Sequence, residues 1–369
     1  MYADYSEKLA KIIVQYSVKI QPDDLVMIRA PMNAEELVRE VYREVIQAGG
    51  HIVRAAYTFN GQSELFYKYA SDKQIKFVDP LYLELIKELN KSIDIYSDYN
   101  TKDLTNVPPE KKLMFAEARK EITKIFFDRA AKKELLWNLS PYPCDAFAQE
   151  ANMGRLEYLE FAYHALNLHK DDPVKFWKGI ESEQEKIIKI LDKGSEFQII
   201  GEDTDLTLGI EKRKWINGSG HENLPDGEVF TAPIEDSVNG TIRFTYPGIY
   251  QGQEIEDVKL TFKEGKVIKS EARKGHDLLK ELLEIPNANI LGELAVGTNY
   301  GIQRFTKNML FDEKMGGTVH LALGAGFPES GSKNQSSIHW DLLKDMKDSE
   351  AKIILDGEVI YQEGKWTIV

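Results

Sequence analysis

Two histidines in the last 50 residues have the neighbours that a metal site needs. His339 and Asp341 are separated by one residue, so on a strand both side chains project from the same face. His320 lies in a second β-like segment. An imidazole and a carboxylate on one face can bind a borderline divalent cation. The His-x-Asp pair alone is a weak signal, because most such pairs hold no metal.

Two glutamates of the same half of the chain occupy unusual positions. Glu228 and Glu293 are each flanked by apolar residues in segments with the pattern of a strand. A buried carboxylate is unfavourable unless it is paired or bound to a metal, which makes both residues candidate ligands. The alternative is a strand whose polar face meets solvent, and for Glu293 the two interpretations carry equal weight.

Other candidate sites are weaker. The glycine-rich runs 218–220 and 324–326 could suggest phosphate binding, but neither joins a strand to a helix with the required spacing, and no Lys-Ser or Lys-Thr follows. We expect tight turns there. The remaining histidines have no partner pattern and are interpreted as ordinary surface or core residues: His51, His164, His169, His221 and His276.

Composition excludes several classes of partner. The chain has 369 residues, 47 basic and 60 acidic, and its net charge of −13 argues against nucleic acid and against an anionic membrane surface. The single cysteine, Cys144, excludes an internal disulfide and a cysteine-based zinc site. Without a leader pattern or an apolar run of about 18 residues, we expect a cytoplasmic protein. Abundant Lys, Glu and Ile are typical of a thermophile.

The first half of the chain alternates between helical and extended patterns. Strands separated by helices predict a mostly parallel sheet with helices on its faces. One long helix is predicted over 109–133, and further helices over 145–166 and 173–193. The predicted strands cover residues 25–28, 51–57, 92–96 and 135–139.

From residue 197 the pattern changes to short β-like runs separated by Gly, Asn and Asp. Hairpin turns are indicated at 263–266 and 355–358. We therefore predict an α/β N-terminal domain, residues 1–190, and a β-rich α+β metal-binding domain, residues 191–369. The candidate ligands all belong to the second domain.

Four segments of the second half resemble, in sequence and in order, the metal-ligand segments of the M29 metallopeptidase family, the aminopeptidases of the T and S type. The resemblance extends over nearly the whole chain. The matching segments are Leu224–Pro233, Leu291–Ala295, Phe311–Gly324 and His339–Asp341.

The resemblance implies a metallo-aminopeptidase that removes N-terminal residues from short peptides. Two ions would share a water, lower its pKa and polarise the first peptide carbonyl. Glu293 is expected to bridge the ions, and Glu293 or Glu313 to carry a proton to the leaving amine. The family's dimers, which enclose the sites, imply a homodimer. The implied ligands of the two divalent ions (zinc, cobalt or manganese) are Glu228, Glu293, Glu313, His320, His339 and Asp341.

This sequence departs from the family at one aromatic position. The family has a tyrosine seven residues after the first histidine, whereas here Phe327 precedes Pro328. Phenylalanine cannot donate a hydrogen bond to an oxyanion, and the loss of one such donor typically costs roughly 100- to 1000-fold in rate. The alternative function is therefore a non-catalytic or diverged metal- or peptide-binding protein. The spacing from Glu313 to His320 is also longer than expected and that from His320 to His339 shorter, which predicts a differently shaped cleft.

Overall fold

A parallel sheet organises the N-terminal part of the chain in a computed structural model that describes residues 2–250 and 252–369. Its strands are β1 (Leu25–Pro31), β2 (His51–Thr58), β3 (Lys91–Tyr96) and β4 (Leu136–Pro141). They lie in the order β2-β1-β3-β4, and every neighbouring pair is parallel. The predicted α/β fold of the N-terminal part is confirmed.

The helices of this part differ from the predicted pattern in two places. The long helix predicted over 109–133 is wrong, because the chain leaves helical geometry at Arg119, whose guanidinium donates to the carbonyls of Ile75 and Phe77. The helix predicted over 145–166 is also two helices, since Gly154 is extended. The helices are α1 (Tyr5–Ile12), α2 (Glu35–Gln47), α3 (Gln62–Tyr69), α4 (Asp72–Ile75), α5 (Pro80–Glu88), α6 (Pro109–Ala118), α7 (Lys120–Ala131), α8 (Asp145–Glu150) and α9 (Arg155–Ala165).

The chain forms two compact units, and it returns from the second unit to the first for one short segment. The first unit comprises Met1–Lys175 and Gly220–Pro225, and the second comprises Phe176–Ser219 and Asp226–Val369. The segment 220–225 belongs to the first unit because its backbone pairs with β4, through Leu139. The boundary predicted between residues 190 and 191 falls inside the second unit.

The second unit is rich in antiparallel strands, as predicted. Its helices are α10 (Pro173–Leu191), most of which belongs to this unit, α11 (His276–Glu284) and α12 (Met309–Asp312). Its strands are β5 (Glu196–Gly201), β6 (Thr204–Gly209), β7 (Ile216–Gly218), β8 (Glu228–Thr231), β9 (Asn239–Arg243), β10 (Gly248–Tyr250), β11 (Gln253–Ile255), β12 (Lys259–Lys263), β13 (Lys266–Glu271), β14 (Leu291–Gly297), β15 (Thr318–Gly324), β16 (His339–Asp345), β17 (Lys352–Leu355), β18 (Glu358–Gln362) and β19 (Lys365–Trp366).

These strands form two principal sheets. The larger has the order β13-β12-β9-β6-β5-β17-β18-β19, and the smaller has the order β16-β15-β14-β8-β7. Both predicted hairpins are present, since Lys263 pairs with Lys266 and Leu355 with Glu358. We call the smaller one the site sheet, because it carries the candidate ligands.

One face of the site sheet is part of the hydrophobic core of the second unit. Leu294 and Leu321 project into the same apolar cluster as Phe197 and Leu206 of the larger sheet. Burial of each such side chain contributes about 1.5–3 kcal/mol. The site sheet is therefore held from one side by the core, which leaves its other face for the ionisable residues. Within the described residues, no helix combines the length and the apolar character that crossing a membrane requires.

Candidate metal centre

The register of the site sheet brings the predicted ligands onto one face. Glu293 on β14 lies opposite Ala322 on β15, and Ala322 lies opposite Asp341 on β16. His320 and His339 are each two residues before a member of this row, so they project from the same face. A register shift between Leu291 and Glu293 sets which face Glu293 occupies.

Glu228 and Glu313 join the group from outside that row. Glu228 begins β8 opposite Gly297, and Glu313 follows α12 rather than lying on a strand. The structure therefore brings all six predicted side chains together. Three sets have ligand atoms within 4.8 Å of one another, namely Glu228, Glu293 and His320; Glu293, His339 and Asp341; and Glu313, His320 and Asp341.

Small residues stand opposite the ionisable side chains and leave room for them. A larger side chain at these positions would fill the space in which the carboxylates and imidazoles meet. At Gly297 even a Cβ atom would collide with the carbonyl oxygen of Met315. The small residues are Ala295, Gly297, Ala322 and Gly324.

Glu293 is the centre of the group, because each of its oxygens faces a different histidine. Its Oε1 lies 3.6 Å from Nε2 of His320, and its Oε2 lies 3.1 Å from Nε2 of His339. Nε2 of His339 is also 3.3 Å from Oδ1 of Asp341. Nδ1 of His339 donates to the carbonyl of Ala325 at 2.7 Å, which leaves Nε2 as the ligand-type atom.

Buried oxygen atoms in the group have unused hydrogen-bonding capacity. Within the described residues, Oε2 of Glu228 and Oδ1 of Asp341 are buried and accept no well-formed hydrogen bond, since each has only a histidine Nε2 near it, at 3.5 and 3.3 Å. The residues Glu228, Glu293 and His320 are only 5%, 4% and 1% exposed. A buried acceptor without a donor is costly, and a bound cation would remove that cost. The mixture of carboxylate and imidazole donors therefore fits a divalent metal ion.

The surrounding charges shift the pKa of the central residues. Burial lowers the pKa of His320, but Glu293 and Glu228 outweigh it and raise that pKa to about 9. For His339, burial is outweighed by Asp341 and Glu293, which raise the pKa to about 11. Burial raises the pKa of Glu293, yet its hydrogen bonds to the two histidines bring it below its ordinary value. Without metal, both imidazoles are protonated at neutral pH.

Lys314, which sequence reasoning missed, is part of the same group. It is 2% exposed, and its Nζ lies 2.5 Å from Oε1 of Glu228 and 2.6 Å from Oε1 of Glu313. Oδ1 of Asp226, also missed, is 3.8 Å away. Burial lowers the pKa of Lys314, but these carboxylates together raise it well above its ordinary value. The available signal was its position directly after the acidic pair Asp312 and Glu313, in a segment whose other members are apolar or small.

Phe327 lies beside the group. Its ring centroid is 5.2 Å from that of His339 and 5.5 Å from that of Phe230, and Phe327 is 38% exposed. The two phenylalanine rings form an apolar surface next to His339. The histidines interpreted as ordinary residues (His51, His164, His169, His221 and His276) share no cluster of three potential ligands in the part of the chain that the structure describes.

Comparison with known proteins decides the family. Residues 3–366 match the family described as thermophilic metalloprotease, M29. The chain belongs to this family. Among the relatives of this M29 protein, Aminopeptidase 2 of Geobacillus stearothermophilus is 25% identical over 98% of this chain and 97% of the relative. Aminopeptidase AmpS of Bacillus subtilis (strain 168) is 26% identical over 98% and 99%.

A solved structure has the same fold. Wild-type AmpT from Thermus thermophilus superposes on this M29 protein with a TM-score of 0.84 at 20% identity, over 100% of both chains. The predicted fold class and the predicted family are therefore confirmed. The predicted class of enzyme, a metallo-aminopeptidase of the hydrolases, agrees with the family and with the relatives' names. The composition typical of a thermophile agrees with the family's description.

Proposed function

We propose that this M29 protein is an aminopeptidase that removes N-terminal residues from short peptides with the help of two divalent metal ions. One observation carries the proposal, which is the convergence of six ligand-type side chains on one face of the site sheet. The family and the names of the relatives support peptide hydrolysis from the N-terminus. The proposed ligands are Glu228, Glu293, Glu313, His320, His339 and Asp341.

The arrangement around Glu293 supports two ions rather than one. Its two oxygens face different histidines, so that each oxygen belongs to a different set of possible ligands. Glu293 would hold one ion with His339 and Asp341, and the other with Glu228 and His320. Zinc, cobalt and manganese all accept such donors.

The side chains of the group would divide the work of hydrolysis. When bound, the ions supply Lewis-acid polarisation of the peptide carbonyl and a water of lowered pKa. Glu293, whose pKa is lowered, stays ionised and serves as a ligand. Burial raises the pKa of Glu313, although Lys314 opposes the shift. A carboxyl with a raised pKa is the better proton carrier near neutral pH, so Glu313 would pass the proton to the leaving amine.

A chromogenic assay tests the proposal. Purified protein, treated with chelator and reloaded with Co²⁺ or Zn²⁺, is incubated with an aminoacyl p-nitroanilide and with its N-acetylated form. Hydrolysis of the free-amine substrate alone is expected, and the Glu293→Gln variant serves as the background. Equal hydrolysis of both substrates would contradict an aminopeptidase, and no hydrolysis with metal bound would contradict an enzyme.

The second candidate function is a metal-dependent peptide-binding protein without catalysis. Phe327 favours it, because the residue beside His339 has no hydroxyl that could stabilise an oxyanion. The same preparation distinguishes the two functions. Metal bound, peptide bound by calorimetry and no release of p-nitroaniline above the Glu293→Gln background would indicate the binding protein.

We also propose that two copies associate through the first unit and that the protein is cytoplasmic. Strand β2 ends its sheet, and the side chains of Val53 and Tyr57 on it are exposed. Parallel sheets are usually covered on both faces, and the unpaired backbone groups of an edge strand can bind a second chain. The exposed apolar side chains on β2 therefore favour a partner at this edge. Light scattering should give the mass of a dimer, and Tyr57→Glu should lower it to that of one chain. A wild-type protein of monomer mass would contradict the association.

A further inference from the structure

We infer that Lys314 makes the two metal positions unequal, so that one ion binds tightly and the other binds more weakly and exchanges. The inference rests on the proposed two-metal site and deepens it. Lys314 would act as a positioning residue, since its ammonium contacts the carboxylates of Asp226 and of two proposed ligands and not the metal ions or the peptide. Three features of the geometry lead to this conclusion.

The first feature is that Lys314 contacts only one side of the group. Among the described residues, its ion pairs go to Asp226, Glu228 and Glu313. The set formed by Glu293, His339 and Asp341 has no ion pair with this ammonium. One metal position is therefore made of ligands with which Lys314 forms no ion pair.

The second feature is that every remaining set of ligands includes a carboxylate that Lys314 holds. Nε2 of His320 can bind only one ion, and the sets that contain His320 include either Glu228 or Glu313. Lys314 is bonded to one oxygen of each of these two carboxylates. A second ion would therefore have only one unoccupied oxygen on the carboxylate of Glu228 or Glu313, because Lys314 is bonded to the other oxygen. The ammonium of Lys314 would then lie close to that ion.

The third feature is that the ammonium cannot withdraw. Lys314 is 2% exposed and is attached directly to Glu313, so it stays beside the second ion when that ion binds. Two like charges repel strongly where water is excluded. Full loading nevertheless remains favourable, because one ammonium and two divalent ions balance the five carboxylates of the cluster, which are Asp226, Glu228, Glu293, Glu313 and Asp341.

The consequence is ordered loading. The position formed by Glu293, His339 and Asp341 fills first, and the position that includes His320 fills at higher concentrations of free metal. Lys314 keeps Glu228 and Glu313 paired while the second position is unfilled. Such a protein would be purified with one ion per chain and would take up a second when metal is supplied.

The experiment is a titration of the chelator-treated protein with Co²⁺, followed by calorimetry and by visible absorption. Wild-type protein is expected to bind two ions in separate steps. The Lys314→Met variant, of similar length without the charge, should bind the second ion about tenfold or more tightly while the first step changes less. The Lys314→Gln variant retains a donor for Glu228 without the charge, and it should also tighten the second step.

Each result decides the inference. Two equal steps in the wild type would overturn it, as would a second step that is unchanged, weaker or missing in a folded Lys314 variant, because Lys314 would then not weaken binding of the second ion. Unfolding curves in chelator show whether each variant folds, and the wild-type titration stands without any variant. Metal binding is measured separately from hydrolysis. Unequal steps in the wild type whose difference Lys314→Met reduces would therefore uphold the inference even in a protein that hydrolyses no peptide, a result that would refute the proposed activity.

Discussion

The two faces of the site sheet carry different kinds of information. On one face, Leu294 and Leu321 lie in the hydrophobic core, where shape and volume are what matter. On the other, their neighbours Glu293 and His320 lie in a group of buried charges, where each atom needs a particular partner. Because consecutive residues alternate between the faces, two neighbouring residues of one strand can serve different ends, one in the hydrophobic core and the other in the candidate metal centre. The comparison predicts that substitutions on the core face act first on stability, whereas substitutions on the charged face act first on the chemistry of the site.

The largest expected effect comes from the charged face. The Glu293→Gln variant removes the charge that faces both histidines, and we expect its kcat/KM for an aminoacyl p-nitroanilide to fall by roughly 1000-fold or more. Its far-UV circular dichroism should match the wild type. Loss of the folded state would contradict the distinction between the two faces, since it would show that the charged face is also needed for folding.

The matched control is the next residue along β14. Leu294 is fully buried, and Leu294→Ala should lower the free energy of unfolding by about 2–5 kcal/mol, measured by urea denaturation in chelator. The rate per folded molecule should be unchanged. A variant of normal stability with lost activity would show that the core face does more than support the fold.

A change of pH tests the charged face, because it changes the protonation of the two histidines. Their pKa values are raised, to about 9 for His320 and about 11 for His339, so the metal-free protein holds protons where the ions would bind. Apparent metal affinity should therefore rise with pH towards those values, by about tenfold per pH unit for each proton displaced. Calorimetry in buffers of different ionisation enthalpy counts the protons released. Release of none at pH 7 would contradict protonated imidazoles.

The same shifts determine how the metal-free protein responds to pH. Both histidines have a higher pKa in the folded state than in the unfolded one, so their stabilising contribution is fully present below about pH 6.5. It is lost as the pH rises through about 9 and then about 11. The difference in stability between wild type and His339→Gln in chelator should therefore shrink at high pH.

The smallest effect is expected at the rim of the charged face. Phe327→Tyr places a hydroxyl on the ring next to His339, and we expect kcat to increase by about tenfold, which is less than the roughly 100- to 1000-fold that a well-placed oxyanion donor contributes. Phe327→Leu is the control for packing and should not increase kcat. An unchanged rate in the tyrosine variant would show that another group already stabilises the oxyanion.

The sequence was sufficient for the parts of the molecule that follow local rules. Alternation placed His339 and Asp341 on one face, and turn chemistry identified the hairpin at 355–358. The break at Arg119 was not predictable, because its partners are carbonyl groups more than 40 residues earlier in the chain. Burial of Lys314 depends in the same way on Glu228, which lies far from it in sequence.

The candidate site was also predictable only in part. The identities of the six side chains came from segments that resemble a family, whereas their spatial order came from the register between strands. No local pattern shows that Glu293, Ala322 and Asp341 form a row, because the register shift at the start of β14 decides it.

That register shift also limits how such a protein can change over evolutionary time. A single residue inserted or deleted between Glu293 and the end of β14 would turn the following side chains towards the wrong side of the sheet. The connection over residues 328–338 carries no proposed ligand and no such restriction. Differences in length among relatives should therefore accumulate in that connection, where they can reshape the entrance for a peptide and leave the ligand atoms in place.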